Sequence, residues 1–145
     1  MKTVYALLFL ILLTSCSQEI SQKDIAKLNG YWEIEKVILA DGNEKEYTIN
    51  DTYDYFQIKG NAGFRKKVAP QLDGRFLVND VSEEVKIIFD NKKVYLKYAT
   101  PYAKWKEELK SLTDEEMVIE TPAKAEYHYK KTAPINLLGD GKKTK

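Results

Sequence analysis

Apolar and polar residues alternate along most of this chain in short stretches, and each stretch closes on glycine, proline, asparagine or aspartate. Tyr31 to Leu39 sets Trp32, Ile34 and Ile38 on one face and Glu33 and Glu35 on the other, with Lys36 interrupting the apolar side. A period of two is the mark of a half-buried strand. Asp41-Gly42-Asn43 then turns the chain into a weak strand over Glu44 to Ile49, and a better one runs from Tyr53 to Lys59 with Phe56 and Ile58 together. Gly60-Asn61-Ala62-Gly63 leads to Phe64–Ala69, ended by Pro70. Asp73-Gly74 leads to Arg75–Asn79, with Phe76 and Val78 on one side. Val85, Ile87 and Phe89 share a face, as do Val94, Leu96 and Tyr98. Met117–Glu120 and Ala125–Lys131 complete the set around Pro122. Turn signals recur about every 8–12 residues, the spacing of a β-sandwich or antiparallel barrel. Before the first strand, Ser21 is placed to cap a brief helix over Asp24 to Leu28, which Asn29-Gly30 ends.

One segment reads two ways. In Tyr102 to Leu112, Trp105, Leu109 and Leu112 fall at helical spacing, and Lys-Glu-Glu-Leu-Lys is good helix composition. A strand there would put Glu107 and Ser111 on the face of Trp105 and Leu109. The local pattern alone favours helix.

The N-terminus follows another pattern. Lys2 precedes an apolar run from Val4 to Leu13, too short to span a bilayer and suited to a secretory signal. The run ends in Leu13-Thr14-Ser15-Cys16, which resembles the lipobox of bacterial lipoproteins. The resemblance implies cleavage before Cys16, a diacylglyceryl group on its thiol and acylation of the new amine. Residues 1–15 are then a signal peptide and 16–23 a lipidated tether that holds the protein on a membrane. Ser17, in place of an acidic residue, implies the outer membrane by analogy with other lipoproteins.

Removing residues 1–15 leaves 130 residues, one domain by size, with 22 basic and 22 acidic side chains. That balance argues against nucleic acid as a partner, which needs a concentrated basic surface. Cys16 is the only cysteine, so a disulfide within the chain is excluded and stability rests on burial. Residues 133–145, ending in Gly-Asp-Gly-Lys-Lys-Thr-Lys, are expected to form a flexible tail.

Leu28-Asn29-Gly30-Tyr31-Trp32 resembles the Gly-x-Trp opening of lipocalin-type barrels, here Gly30 and Trp32. The hairpin around Thr113-Asp114-Glu115 and the closing strand Tyr127-His128-Tyr129-Lys130-Lys131 are also similar to those of the lipocalin-like lipoproteins of bacteria. The resemblance covers residues 24–132. It implies an all-β fold, an antiparallel up-and-down barrel of about eight strands with a short N-terminal helix, and it turns residues 103–112 into a strand. In that family the first-strand Trp packs against a late basic residue. Arg65 and Arg75 are the only arginines, so Lys130 or Lys131 must serve here.

The residues give little support to catalysis, and neither a catalytic residue, a metal site nor a cofactor is expected. His128 is the only histidine and, as a strand residue, should face away from Tyr127 and Tyr129. Glu83-Glu84, Glu107-Glu108 and Glu115-Glu116 are adjacent pairs that a strand would point to opposite sides, so they read as solvated edges and turns. Arg65-Lys66-Lys67 reads as a solvated strand edge. What remains is a pocket, lined by Phe56, Phe76, Phe89, Tyr98, Trp105, Tyr127 and Tyr129. These aromatics would serve equally as the core of a packed barrel. The leading expectation is therefore a non-enzymatic, lipid-anchored envelope protein carrying a small hydrophobic ligand. The alternative is a solid barrel that binds another envelope protein through exposed tyrosines such as Tyr47, Tyr53, Tyr95 and Tyr102.

Overall fold

The computed structural model describes residues 18–73 and 75–133, with the side chains of Phe76, Asn79 and Asp80 left out. A 3-10 helix, Gln22–Leu28, precedes nine strands: β1 Gly30–Ile38, β2 Glu44–Glu46, β3 Tyr53–Lys59, β4 Ala62–Pro70, β5 Phe76–Asp90, β6 Lys93–Ala99, β7 Lys104–Leu112, β8 Glu116–Glu120 and β9 Glu126–Thr132. Each pairs antiparallel with its neighbour, and β1 pairs with β9. Eight strands therefore close an up-and-down barrel, while the short β2 lies against the end of β1 beside β3. Closure removes the sheet edges that would otherwise invite pairing with other chains.

The strand expected at Glu44–Ile49 is shorter, and its three residues are exposed. The two strands expected over Arg75–Asn79 and Val85–Phe89 are one, β5, because residues between them still pair with β4. Residues 104–112 form a strand, as the resemblance implies, and not the helix favoured by local spacing. A register shift between Leu109 and Ser111 explains the conflict. A β-bulge inserts one residue and reverses the alternation, so residues three apart can face the same side. Leu109 and Leu112 are both buried for this reason. The shift between Ile34 and Lys36 acts likewise: Val37, not Ile38, continues the inward face, and Lys36 turns outward to Glu44 at 3.2 Å.

One end of the barrel is plugged by the 3-10 helix. Ser21 and Asp24 cap it, the Ser21 N–H and Oγ donating to Asp24 Oδ2 at 2.8 and 2.7 Å. The helix buries Ile25 and Leu28 in the core, packing on β3 and β7. Asn29 ties it down by donating from Nδ2 to the Ile58 carbonyl and accepting from the Ile58 N–H. Gly30 follows with φ +118°, a conformation that L side chains rarely adopt. That is the physical need behind the glycine that opens β1.

Candidate functional site

Trp32 is fully buried at the plugged end and donates from Nε1 to the Leu28 carbonyl at 2.7 Å. Lys131, directly opposite on β9, sets Nζ 4.8 Å from the Trp32 ring and donates to the Lys27 carbonyl at 2.7 Å. Lys131 therefore takes the place of the late basic residue. Burial lowers its pKa, since the half-buried ammonium has lost part of its hydration. Phe56, Ile58, Ile87, Leu96, Leu109 and Met117 complete the apolar floor with Trp32.

Toward the other end the inward positions change character. Asp54, Arg65, Glu83, Tyr98, Glu107 and Tyr129 come from six different strands and act on one another across the barrel. Arg65 is 8% exposed; its Nε donates to Glu83 Oε2, and its guanidinium lies 4.2 Å from the centre of the Tyr98 ring. Burial alone would lower the Arg65 pKa, but Tyr98, Glu83 and Asp54 together hold it firmly protonated. Asp54, buried on β3, forms an ion pair with Lys67, its register partner on β4, without the geometry of a good hydrogen bond. Burial raises the pKa of the Glu107 carboxyl against the opposing pull of Arg65. The Tyr98 hydroxyl is buried without a well-formed hydrogen bond, although Glu107 is near enough to act on it. Burial holds both Tyr98 and Tyr129 well above the usual phenol range, so both remain neutral donors.

Beyond this layer the barrel opens. Along β5 the inward alternation runs from Ile87 (3% exposed) and Val85 (0%) to the half-buried Glu83, and Val81, within the register shift between β4 and β5, is 62% exposed. Trp105, half-buried near the same end, stacks on Tyr98 with centroids 5.2 Å apart and planes at 16°. Tyr127 packs beside the core at this end of β9. Ile49, Leu72, Leu77, Val78 and Tyr102 are exposed in the surrounding loops and strand ends.

Of the expected lining residues, Tyr98, Trp105, Tyr127 and Tyr129 thus gather in the open half, while Phe56 lies deeper, 6.0 Å beneath Arg65. Phe89 does not line the interior: it lies at the end of β5 on the plugged side, where the wall stops, and is 42% exposed. Phe76 is on β5, but its side chain lies outside the described residues, as do Cys16, the signal segment and the tail beyond residue 133. Tyr53, expected on the surface, is buried (5%), whereas Tyr102 is almost fully exposed. His128 is half-buried on the outward alternation, 3.3 Å from Glu126.

The charged members of the cluster were missed by sequence reasoning. Arg65 is not a solvated edge, and Glu83 and Glu107 are inward members of their pairs, only Glu84 and Glu108 facing out. The available signal was the alternation itself, which placed Glu107 with Trp105 and Leu109.

A family model described as a lipocalin-like domain matches residues 28–119. Lipocalin-like domains are in general not enzymes. A lipocalin-like protein from Bacteroides uniformis, known from its crystal structure, is similar with a TM-score of 0.47 and 11% identity over 73% of this chain and 99% of its own. A second, described as an uncharacterized protein from Bacteroides eggerthii, gives a TM-score of 0.46 and 9% identity over 72% and 99%. No match is found among curated proteins.

Proposed function

Because this chain belongs to the lipocalin-like domain family, we propose that it is a lipid-anchored, non-enzymatic envelope protein whose barrel receives a small hydrophobic molecule at its open end. The observation that carries this reading is the half-buried Trp105, stacked on the buried Tyr98 at the end of the barrel where β5 loses its cover. An apolar body would rest on Trp105, Tyr127 and the exposed aliphatic rim, where burial yields about 25 cal/mol per Å². The charged layer forms the floor of this cup. Three carboxylates (Asp54, Glu83 and Glu107) face two cations (Arg65 and Lys67) there, so the floor has no surplus positive charge for an anionic head. A hydroxyl or amine head suits it better than a carboxylate.

Trp105 supplies the test. Isoprenoid alcohols, fatty acids and haem are titrated against the unlipidated protein while tryptophan fluorescence is followed, and again with Tyr127→Ala, which keeps Trp105 as the reporter. Saturable binding at micromolar or lower concentration, weakened by the substitution, supports the reading, and the alcohol should bind more tightly than the acid. No saturable change with any ligand class sinks it. The anchor is tested separately: Cys16→Ser should leave the membrane fraction or accumulate unprocessed.

A second reading has its own support. Trp32, Phe56, Val85, Leu96, Tyr98 and Met117 fill the interior, and the apolar residues at the open rim would then meet another envelope protein. Crosslinking from Tyr102 in cells distinguishes it from the first.

A further inference from the structure

The outer wall made by β5, β6 and β7 carries an arrangement that folding alone does not favour. Lys86 stands directly opposite Lys97, and Lys97 directly opposite Lys106, so three lysines stand in one row across three adjacent strands, with Lys106 Nζ 4.3 Å from the centre of the Tyr95 ring. Lys104 lies one outward position along β7 from Lys106, and all four lysines are exposed. Like charges directly opposite on a sheet destabilise it. Among the described residues, Glu84, 3.3 Å from Lys86, is the one carboxylate within ion-pair distance of the four. The lysines and Glu84 border a depression of about 460 Å³ that Tyr98, Ala99 and Trp105 also line.

The other side of the barrel differs. On β1 and β9, Lys36 is paired with Glu44, Lys130 with Glu33 at 4.0 Å and His128 with Glu126. At the foot of the β5–β7 wall Lys93 and Lys110 also have partners, Glu108 and Glu120. Among the described residues, lysines without a carboxylate partner also occur singly elsewhere, but the middle and upper β5–β7 wall sets three of them, Lys97, Lys104 and Lys106, side by side.

The first described residues lie at this wall. Gln18, Glu19 and Ile20 lie against Lys92, Lys93, Leu109 and Lys110 at its foot. Cys16 is two residues earlier, within about 7 Å of extended chain. Tyr102, 97% exposed, projects from the β6–β7 loop at the wall's opposite end. Tyrosine is favoured where apolar and polar phases of a membrane meet.

We infer that the β5–β7 wall is a membrane-docking face, on which Lys86, Lys97, Lys104 and Lys106 contact anionic lipid headgroups. The barrel lies on its side, with the tether at one end of the contact and Tyr102 at the other. The pose rests on the lipid-anchored reading; the attraction of the wall for anionic lipid does not. A lysine close to an anionic surface gains roughly fivefold in binding, and the gain is screened by salt.

The test uses residues 16–145 carrying Cys16→Ser, which retain every element of the fold but no acyl chain. Cosedimentation is measured with phosphatidylcholine vesicles and with vesicles containing phosphatidylglycerol. The expected result is binding to the anionic vesicles alone, abolished by high salt. Lys97→Gln with Lys106→Gln should weaken it roughly 25-fold, whereas Lys36→Gln with Lys130→Gln, the same charge change on the other wall, should leave it nearly unchanged. Lys97→Glu, the same change of two charges at one position, should weaken docking to a similar extent and raise the melting temperature by a few degrees, because it relieves the row's repulsion. Equal loss in both double variants, or binding to neutral vesicles at the same strength, overturns the inference. So does saturable binding of inorganic phosphate without vesicle binding, which would make the depression a phosphate site. Failure here leaves the anchor standing, since no acyl chain is present in the assay.

Discussion

The plugged and open halves of the barrel are walled by the same eight strands, yet they hold opposite contents. In the plugged half the inward positions are Trp32, Phe56, Ile58, Leu96, Leu109 and Met117, sealed by Ile25 and Leu28 of the 3-10 helix. In the open half they are Asp54, Arg65, Glu83, Glu107 and two tyrosines. Burial of apolar surface stabilises the first half directly. In the second, desolvation of the charges opposes folding, and their pairing offsets much of that loss without turning it into a large gain. A small domain can hold such a layer only because the other half is so completely buried. The division resembles one between a foundation and a site: the stable half tolerates change poorly, and the charged half can be altered for recognition.

The largest expected effect tests the foundation. Trp32→Ala should destabilise the protein by about 3–5 kcal/mol in denaturant unfolding, the usual range for truncating a buried large aromatic. A loss below about 1 kcal/mol would mean that the plugged half is not the stable one. Arg65→Met probes the charged layer and should cost about 3 kcal/mol, because Glu83 and Glu107 lose their counter-charge in a poorly hydrated space. Adding Glu83→Gln should recover at least half of it. If the double variant is no better than the single one, Arg65 matters for packing and not for charge.

Gly30→Ala should follow at about 2 kcal/mol. The cost is backbone strain at φ +118°, since a Cβ there would meet only the Lys131 side chain, at 3.6 Å. A neutral result would show that the link between helix and β1 relaxes freely. The smallest effect concerns Glu107. Burial raises its folded-state pKa above the ordinary 4.5, so the folded form holds the proton more tightly than the unfolded chain. Stability therefore falls as pH rises from 4.5 through the raised value. Glu107→Gln should remove that portion of the pH dependence and leave the protein as stable as the parent, or slightly more so, at neutral pH. An unchanged slope would place Glu107 in water.

Much of the barrel could be read directly. Trp32, Phe56, Ile58, Val85, Ile87, Val94, Leu96 and Tyr98 all fall on the buried side that alternation assigns them. The role of Lys131 was legible to within one residue, since it and Lys130 were the late-strand candidates. Misread elements cluster where a bulge reverses the alternation, as at Ile34/Lys36 and Leu109/Ser111. Val37 and Leu112 are buried there although strict alternation points them outward. Phe89 fails for a different reason: its phase is right, but the wall ends before it is covered.

The sequence by itself determined the strand faces, the turns and the glycine before β1, because each depends on neighbours along the chain: side-chain alternation, turn chemistry and φ. Only the closed barrel decided which charges would meet. Arg65 and Glu83 lie 18 residues apart, and Glu107 is further still along the chain; nothing local distinguishes these groups from solvated ones. The three-lysine row across β5, β6 and β7 has the same origin, for it exists only in the register of two strand pairs. Register is set by many cross-strand contacts at once, and one strand read in isolation contains none of them.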